Sequence, residues 1–158
     1  MKISAKDEYG LRILLRLAKS DRKEGMSIPQ LSVAEGLSES YVGKLTRDLR
    51  IKGFIQSTRG HKGGYVLCKK PSEITVNEIL KALDGAMYDE AFCDRHSSKL
   101  GAFCVNSVDC SVRSLWRLVQ HTLDDVLDKL TLQDLIGHGI NIHKLSRAAN
   151  FSVSKESI

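Results

Sequence analysis

Apolar residues recur at helical spacing from the start of the chain. Between residues 7 and 20, Leu11, Leu14, Leu15 and Ala18 share a face, with Arg12, Arg16 and Lys19 on the wetter side, predicting an amphipathic helix. A polar loop, 21–25, follows. Ser27 can cap a second, short helix with Pro29 in its first turn and Leu31 and Ala34 inward, and Gly36 suits a left-handed end. Ser38 offers a further cap for SESYVGKLTRDLRIKG, with Tyr41 or Val42, Leu45 and Leu49 as the buried stripe and Gly53 as the stop. Helix, tight turn, helix is the helix-turn-helix pattern.

The period then changes. FIQST (54–58) and YVLC (65–68) read as short strands joined by Arg59, Gly60, His61, Lys62, Gly63 and Gly64, whose glycines permit a hairpin. A basic-tipped hairpin after a helix-turn-helix makes a winged helix. Thr75 and Glu78 form a capping box for a helix beginning at Val76, with Ile79, Leu80 and Leu83 apolar and Gly85 ending it. Residues 86–110 show no sustained period. From Ser111 to about Leu130, Leu115, Val119, Leu123, Val126 and Leu130 recur three or four apart, and Trp116, Leu118 and Leu127 widen the stripe. That is more apolar surface than a small winged domain covers, so a dimerisation helix is expected. TLQDLI (131–136) reads as a last capped turn, and 137–158 as a mobile tail. The fold class is therefore mainly α with a small β-wing. Its divisions are a DNA-binding unit (1–70), a connecting helix and cysteine-bearing loop (71–110), a dimerisation helix with capped turn (111–136) and the tail.

Charge sharpens this picture. The 158 residues carry a net +5, unevenly spread: residues 1–70 hold 15 Lys or Arg against 7 Asp or Glu, and the rest hold 9 against 12. A polyanion-binding surface belongs in the first half. Ser38, Glu39, Ser40, Gly43, Lys44 and Arg47 fall on or near the exposed face of the second helix of the motif, where short polar and basic side chains reach phosphates and base edges. No apolar run is long enough to cross a membrane, and the amphipathic N-terminus with Asp7 and Glu8 argues against a secretory leader, so a cytoplasmic setting is expected. No serine–histidine–acid order, phosphate-cradling loop or dinucleotide fingerprint stands out, so no enzyme is expected.

The chemistry gathers in the loop. Cys93, Cys104 and Cys110 lie in one stretch with no regular element of its own, whereas Cys68 reads as a small buried hydrophobe. Three clustered thiols in a reducing compartment point to a metal or redox role. Three readings stand at this point: an iron–sulfur cluster, a Cys₃His zinc site that recruits His96, and a thiol switch. Asp94, His96 and Asp109 are the nearby candidates for a vacant coordination position. His61, His121, His138 and His143 read as wing, surface or tail residues. A small electron carrier is a further alternative, but it has no use for a basic reading helix.

Together, MKISAKDEYGLRILLRLA, SYVGKLTRDLRIKGFIQSTRGHKGGYVL, TVNEILKALDG, the three cysteines followed by SLW, and TLQDL resemble the Rrf-two family of transcription regulators, of which IscR and NsrR are iron–sulfur members. The resemblance covers about residues 1–136. It implies a homodimer of winged-helix subunits crossed through the long helix, bound to a palindromic double-stranded DNA operator as a repressor and controlled by a 2Fe-2S or 4Fe-4S cluster. Nitric oxide, oxygen or iron supply would be the signal. By position, Cys93, Cys104 and Cys110 match the cluster ligands, residues 38–52 the reading helix, and Ser40, Tyr41 and Arg59 the DNA contacts, with His61 and Lys62 beside them on the wing. Where IscR-like members place a histidine, three residues after the last cysteine, this chain has Arg113, which cannot ligate iron. Glu8 matches the position from which NsrR-like members supply an acidic ligand to the other subunit.

Overall fold

A computed structural model describes residues 3–20, 24–58, 63–89, 91–93 and 109–136, so the expected tail, 137–158, lies outside the described residues. The elements run α1 (Ala5–Ala18), α2 (Ile28–Glu35), α3 (Glu39–Ile51), β1 (Ile55–Ser57), β2 (Tyr65–Leu67), a 3-10 turn (Pro71–Glu73), α4 (Val76–Leu83), α5 (Ser111–Leu127) and α6 (Leu132–Ile136). This is the mainly helical, small-winged architecture expected from the periodicity.

Side-chain caps account for most helix starts. Ser27 with Gln30 and Thr75 with Glu78 form reciprocal capping boxes, and Ser38 Oγ accepts the Tyr41 amide at 3.3 Å. Gly36 closes α2 at φ +66°, a conformation costly for any residue with a Cβ. The first helix begins earlier than the apolar pattern predicts. Ser4 Oγ accepts from the Asp7 amide at 3.0 Å and Asp7 Oδ2 from the Ser4 amide at 3.2 Å, and together they start the helix at Ala5.

The core forms around α1, which touches α3, α4, α6 and β2 at once. Ile13, Leu14, Leu17, Leu31, Val42, Leu45, Leu49 and Ile55 meet Ile74, Ile79, Leu83 and Leu132 in one cluster. Each such side chain contributes about 1.5–3 kcal/mol on burial. The apolar interior therefore continues past residue 70 into α4 and α6. Gly10 makes room for this: a Cβ there would stand 2.8 Å from Leu83 Cδ1. The chain entering α4 is tied to the chain entering α6 by a short antiparallel bridge at Thr75 and Thr131. In it the Val76 amide donates to Leu130 O (2.8 Å) and the Leu132 amide to Ile74 O (2.9 Å).

The wing pairs β1 and β2 antiparallel, Gln56 opposite Val66. Its root is tied to the chain entering α2. Met26 and Tyr65 exchange both backbone hydrogen bonds, 3.1 and 2.8 Å, and Thr58 Oγ1 donates to Glu24 O at 2.7 Å. Gly64 permits this approach, since a Cβ there would lie 2.5 Å from the Met26 carbonyl carbon. Cys68 departs from its expected burial: it is exposed, one residue past β2, with its amide on Phe54 O and Lys69 following. Leu130 likewise lies beyond the end of α5 and is buried in the bridge instead of on the helix stripe.

Candidate nucleic-acid interface and cysteine centre

α2 and α3 pack together in the helix-turn-helix, leaving one face of α3 open. Ser38, Ser40, Lys44 and Arg47 are all exposed there, as the pattern predicts. Thr46, on the opposite face, is fully buried and donates to Val42 O at 2.9 Å, which removes its hydroxyl from the surface. Tyr41 is only partly exposed. Its ring meets Tyr9 of α1 edge-on, with centroids 6.1 Å apart, so it fixes the start of α3 as well as bordering the open face. Arg59, His61 and Lys62 of the wing tip lie outside the described residues.

Charge as well as apolar contact holds α2 and α3 against α1. Glu35, at the end of α2, has a side chain only 2% exposed and receives Arg12 Nε at 2.9 Å and Arg16 Nε at 2.7 Å from α1. Lys6 of α1 meets Asp48 of α3 at 2.8 Å. That hydrogen bond raises the Lys6 pKa and lowers that of Asp48. Neither arrangement stands out in the sequence, because the partners are far apart along the chain and carry no spacing signature.

The outer two cysteines of the loop do not lie in irregular chain. Cys93 sits in a helical turn in which the Phe92 amide donates to Asp89 O, and Cys110 is the N-cap of α5, its Sγ accepting the Arg113 amide at 3.3 Å. The fold brings them to a common neighbour. The Arg113 guanidinium is held above its ordinary pKa chiefly by its hydrogen bond to the Cys93 sulfur, with Cys110 adding a smaller effect. Arg113 therefore serves the sulfurs as a cationic neighbour and, through its backbone amide, as a donor to Cys110. Tyr88, 7% exposed, brings its hydroxyl to 3.9 Å from Cys93 Sγ and packs its ring at a tilt against Phe92, 5.9 Å between centroids. Burial, then the Cys93 contact, push its phenol pKa up. Tyr88 escaped the sequence reading, although the aromatic pair four apart, just before Cys93, was the available signal.

Cys93 and Cys110 are soft sulfur donors, the ligand type that an iron–sulfur group takes, and they supply two of the three thiols that the sequence singles out. Cys104, Asp94 and His96 lie outside the described residues. Among the described residues, no three His, Cys, Asp or Glu side chains gather at one point. Glu8 is exposed and pairs with Arg12 at 3.8 Å, apart from Cys93 and Cys110 of its own chain.

One face remains uncovered. α5 has no buried residue, and Val112, Leu115, Trp116 and Leu118 are 58, 51, 43 and 64% exposed. A groove between α1, α4 and the second half of α5 runs beside it, lined by Leu11, Leu80, Leu123 and Leu127 with Glu8 at its edge. No helix among the described residues is long and apolar enough to cross a membrane.

A family described as "Rrf2: Iron-dependent Transcriptional regulator" matches residues 3–138. CymR of Bacillus subtilis, an HTH-type transcriptional regulator, is 34% identical over 139 residues, covering 87% of this chain and 91% of CymR. The structure of that protein, described as the global cysteine regulator of its bacterium, superposes with a TM-score of 0.68 at 33% identity, covering 88% of this chain and 98% of the other. The structure of T. potens IscR gives 0.64 at 30% identity, covering 86% of each chain. With an open basic face on α3, a wing rooted on the chain entering α2 and a match over most of its length, this chain belongs to the Rrf2 family of DNA-binding transcription regulators.

Proposed function

We propose that the chain acts as a homodimeric repressor whose hold on a palindromic operator is set by an iron–sulfur cluster bound at Cys93, Cys104 and Cys110. The observation carrying this reading is Cys110 at the cap of a helix whose apolar face is uncovered, with Cys93 seated beside Tyr88 in the same loop. Sulfur chemistry and subunit association then share one element. Leu115, Trp116 and Leu118 bury against a second copy, and Glu8 of each subunit completes the other's centre. The two α3 helices must meet half-sites about 34 Å apart, or a multiple of it, so a small change at the crossing of the α5 helices alters whether both dock. Ser38, Ser40, Tyr41, Lys44 and Arg47, with Arg59, His61 and Lys62 of the wing, make the DNA contacts. A bound cluster supplies sensitivity to oxygen, nitric oxide or iron supply.

Anaerobic purification followed by absorption spectroscopy and iron and sulfide analysis tests this. Brown protein with equal iron and acid-labile sulfide, and operator binding altered in Cys104→Ala, is the expected result. Iron-free protein that binds DNA equally well without its three loop cysteines overturns it. A second reading, a regulator that works through its thiols without a cluster, draws on the Arg113–Cys93 contact and on the similarity to a cysteine regulator. Iron-free protein whose DNA binding changes on mild oxidation selects that reading.

A further inference from the structure

A line of polar contacts joins the cysteine centre of one subunit to α4, and apolar packing joins α4 to the DNA-reading body. Asn77, 4% exposed on α4, donates its amide to Asp124 Oδ1 (3.1 Å) and Asp128 Oδ1 (2.8 Å) of α5. Lys81, one turn further along α4, meets the same Asp124 oxygen at 2.8 Å. Gln120 Nε2 donates to that oxygen at 2.8 Å, while Gln120 Oε1 accepts the backbone amide of Tyr88 at 3.0 Å. Tyr88 in turn places its hydroxyl against Cys93. Burial of Asp124 favours its neutral form, but hydrogen bonds from Lys81, Gln120 and Asn77 outweigh burial and hold its pKa low. Ile79 and Leu83, on the same α4 helix, are core residues, so a shift of α4 is felt by α1 and the reading body.

Gln120 occupies the narrow point of this line. Its two ends satisfy groups from different elements, the Tyr88 amide and the Asp124 carboxylate, and a side-chain amide does both with one planar group. We propose that Gln120 is a positioning residue that couples the state of the Cys93 centre to the placement of α4, and so to operator affinity within the same subunit. This rests on the cysteine control proposed above, but not on which group the cysteines hold. A change at Cys93 displaces Tyr88, the Tyr88 amide pulls on Gln120, and Gln120 alters how firmly Asp124 is held by α4. Such coupling is an interaction energy between two sites, the quantity a double-mutant cycle measures.

The experiment is a double-mutant cycle on the full chain with Cys93→Ser and Gln120→Met. Methionine keeps the length and helix preference of glutamine and removes both hydrogen bonds. The probe is a duplex selected in vitro by the wild-type chain, with affinity read by fluorescence anisotropy and α4 by amide hydrogen exchange. Cys93→Ser is expected to change affinity about tenfold in the wild-type background and less than about twofold in Gln120→Met. The accompanying change in α4 exchange disappears with it. An equal effect of Cys93→Ser in both backgrounds overturns the role of Gln120 and leaves cysteine control standing. No effect of Cys93→Ser in the wild-type background removes cysteine control and the coupling together. Should Gln120→Met fail to fold, Gln120→Ala, which also breaks both bonds at this partly exposed position, takes its place.

Discussion

Glu35 shows what a single residue can do in a small domain. A carboxylate almost sealed from water is tolerable only because two guanidinium groups, each nearly half exposed, reach in to it. Glu35→Ala is expected to lower unfolding free energy by about 2 kcal/mol in urea titration, whereas Arg12→Ala costs less because Arg16 still serves the carboxylate. The Lys6–Asp48 pair acts more weakly, since its side chains are 33% and 40% exposed and solvent screens them. Its contribution is under about 1 kcal/mol. Its pH dependence has a definite sign. Asp48 is depressed below its ordinary 3.8, so its share is present above that value and lost as pH falls through the folded value. Lys6 is raised above 10.5, so its share is present below that value and lost as pH rises past the folded one. In Asp48→Asn, urea stability measured at neutral pH and below pH 3.8 should differ less than in wild type.

At the scale of elements, periodicity located both the reading helix and the first helix within about two residues, but it chose the buried face of the reading helix better than that of the first. α3 meets the core along one stripe, so Val42, Leu45 and Leu49 could be picked by spacing. α1 is surrounded on several sides, and Ile13 and Leu17 proved more deeply buried than Leu11, Leu15 and Ala18, a choice that a one-face helical pattern does not make. The ties between distant segments were illegible for a related reason: Met26 with Tyr65, Glu35 with two arginines and Asn77 with two aspartates follow from tertiary approach, not from local spacing. Cysteine clustering did flag the loop, but that Cys110 caps α5 and that Tyr88 attends Cys93 required the fold. Gly64→Ala should loosen the wing root and reduce stability by about 1–3 kcal/mol by thermal unfolding, because the added methyl meets backbone that cannot step aside. Lys44→Ala or Arg47→Ala should lower the slope of log affinity against log salt by about 0.9 for each phosphate contact removed, read from anisotropy titrations across salt.

For the whole molecule, the uncovered face of α5 is the dominant feature. Isolated exposed apolar residues are ordinary, but four of them along one helix call for a partner. Leu118→Lys is expected to convert a dimer to a monomer in sedimentation velocity. Trp116, the single tryptophan, supplies an optical check. Its emission should move to shorter wavelength as wild-type protein is concentrated and stay fixed in Leu118→Lys.

The stitching of the hairpin root to the strand that leads into α2 restricts how such a molecule can be regulated. Met26 and Thr58 fasten the hairpin root to the motif beside it. In the dimer proposed above, hairpin and motif would then move as one jaw, and the adjustable quantity would be how the two jaws are set against each other.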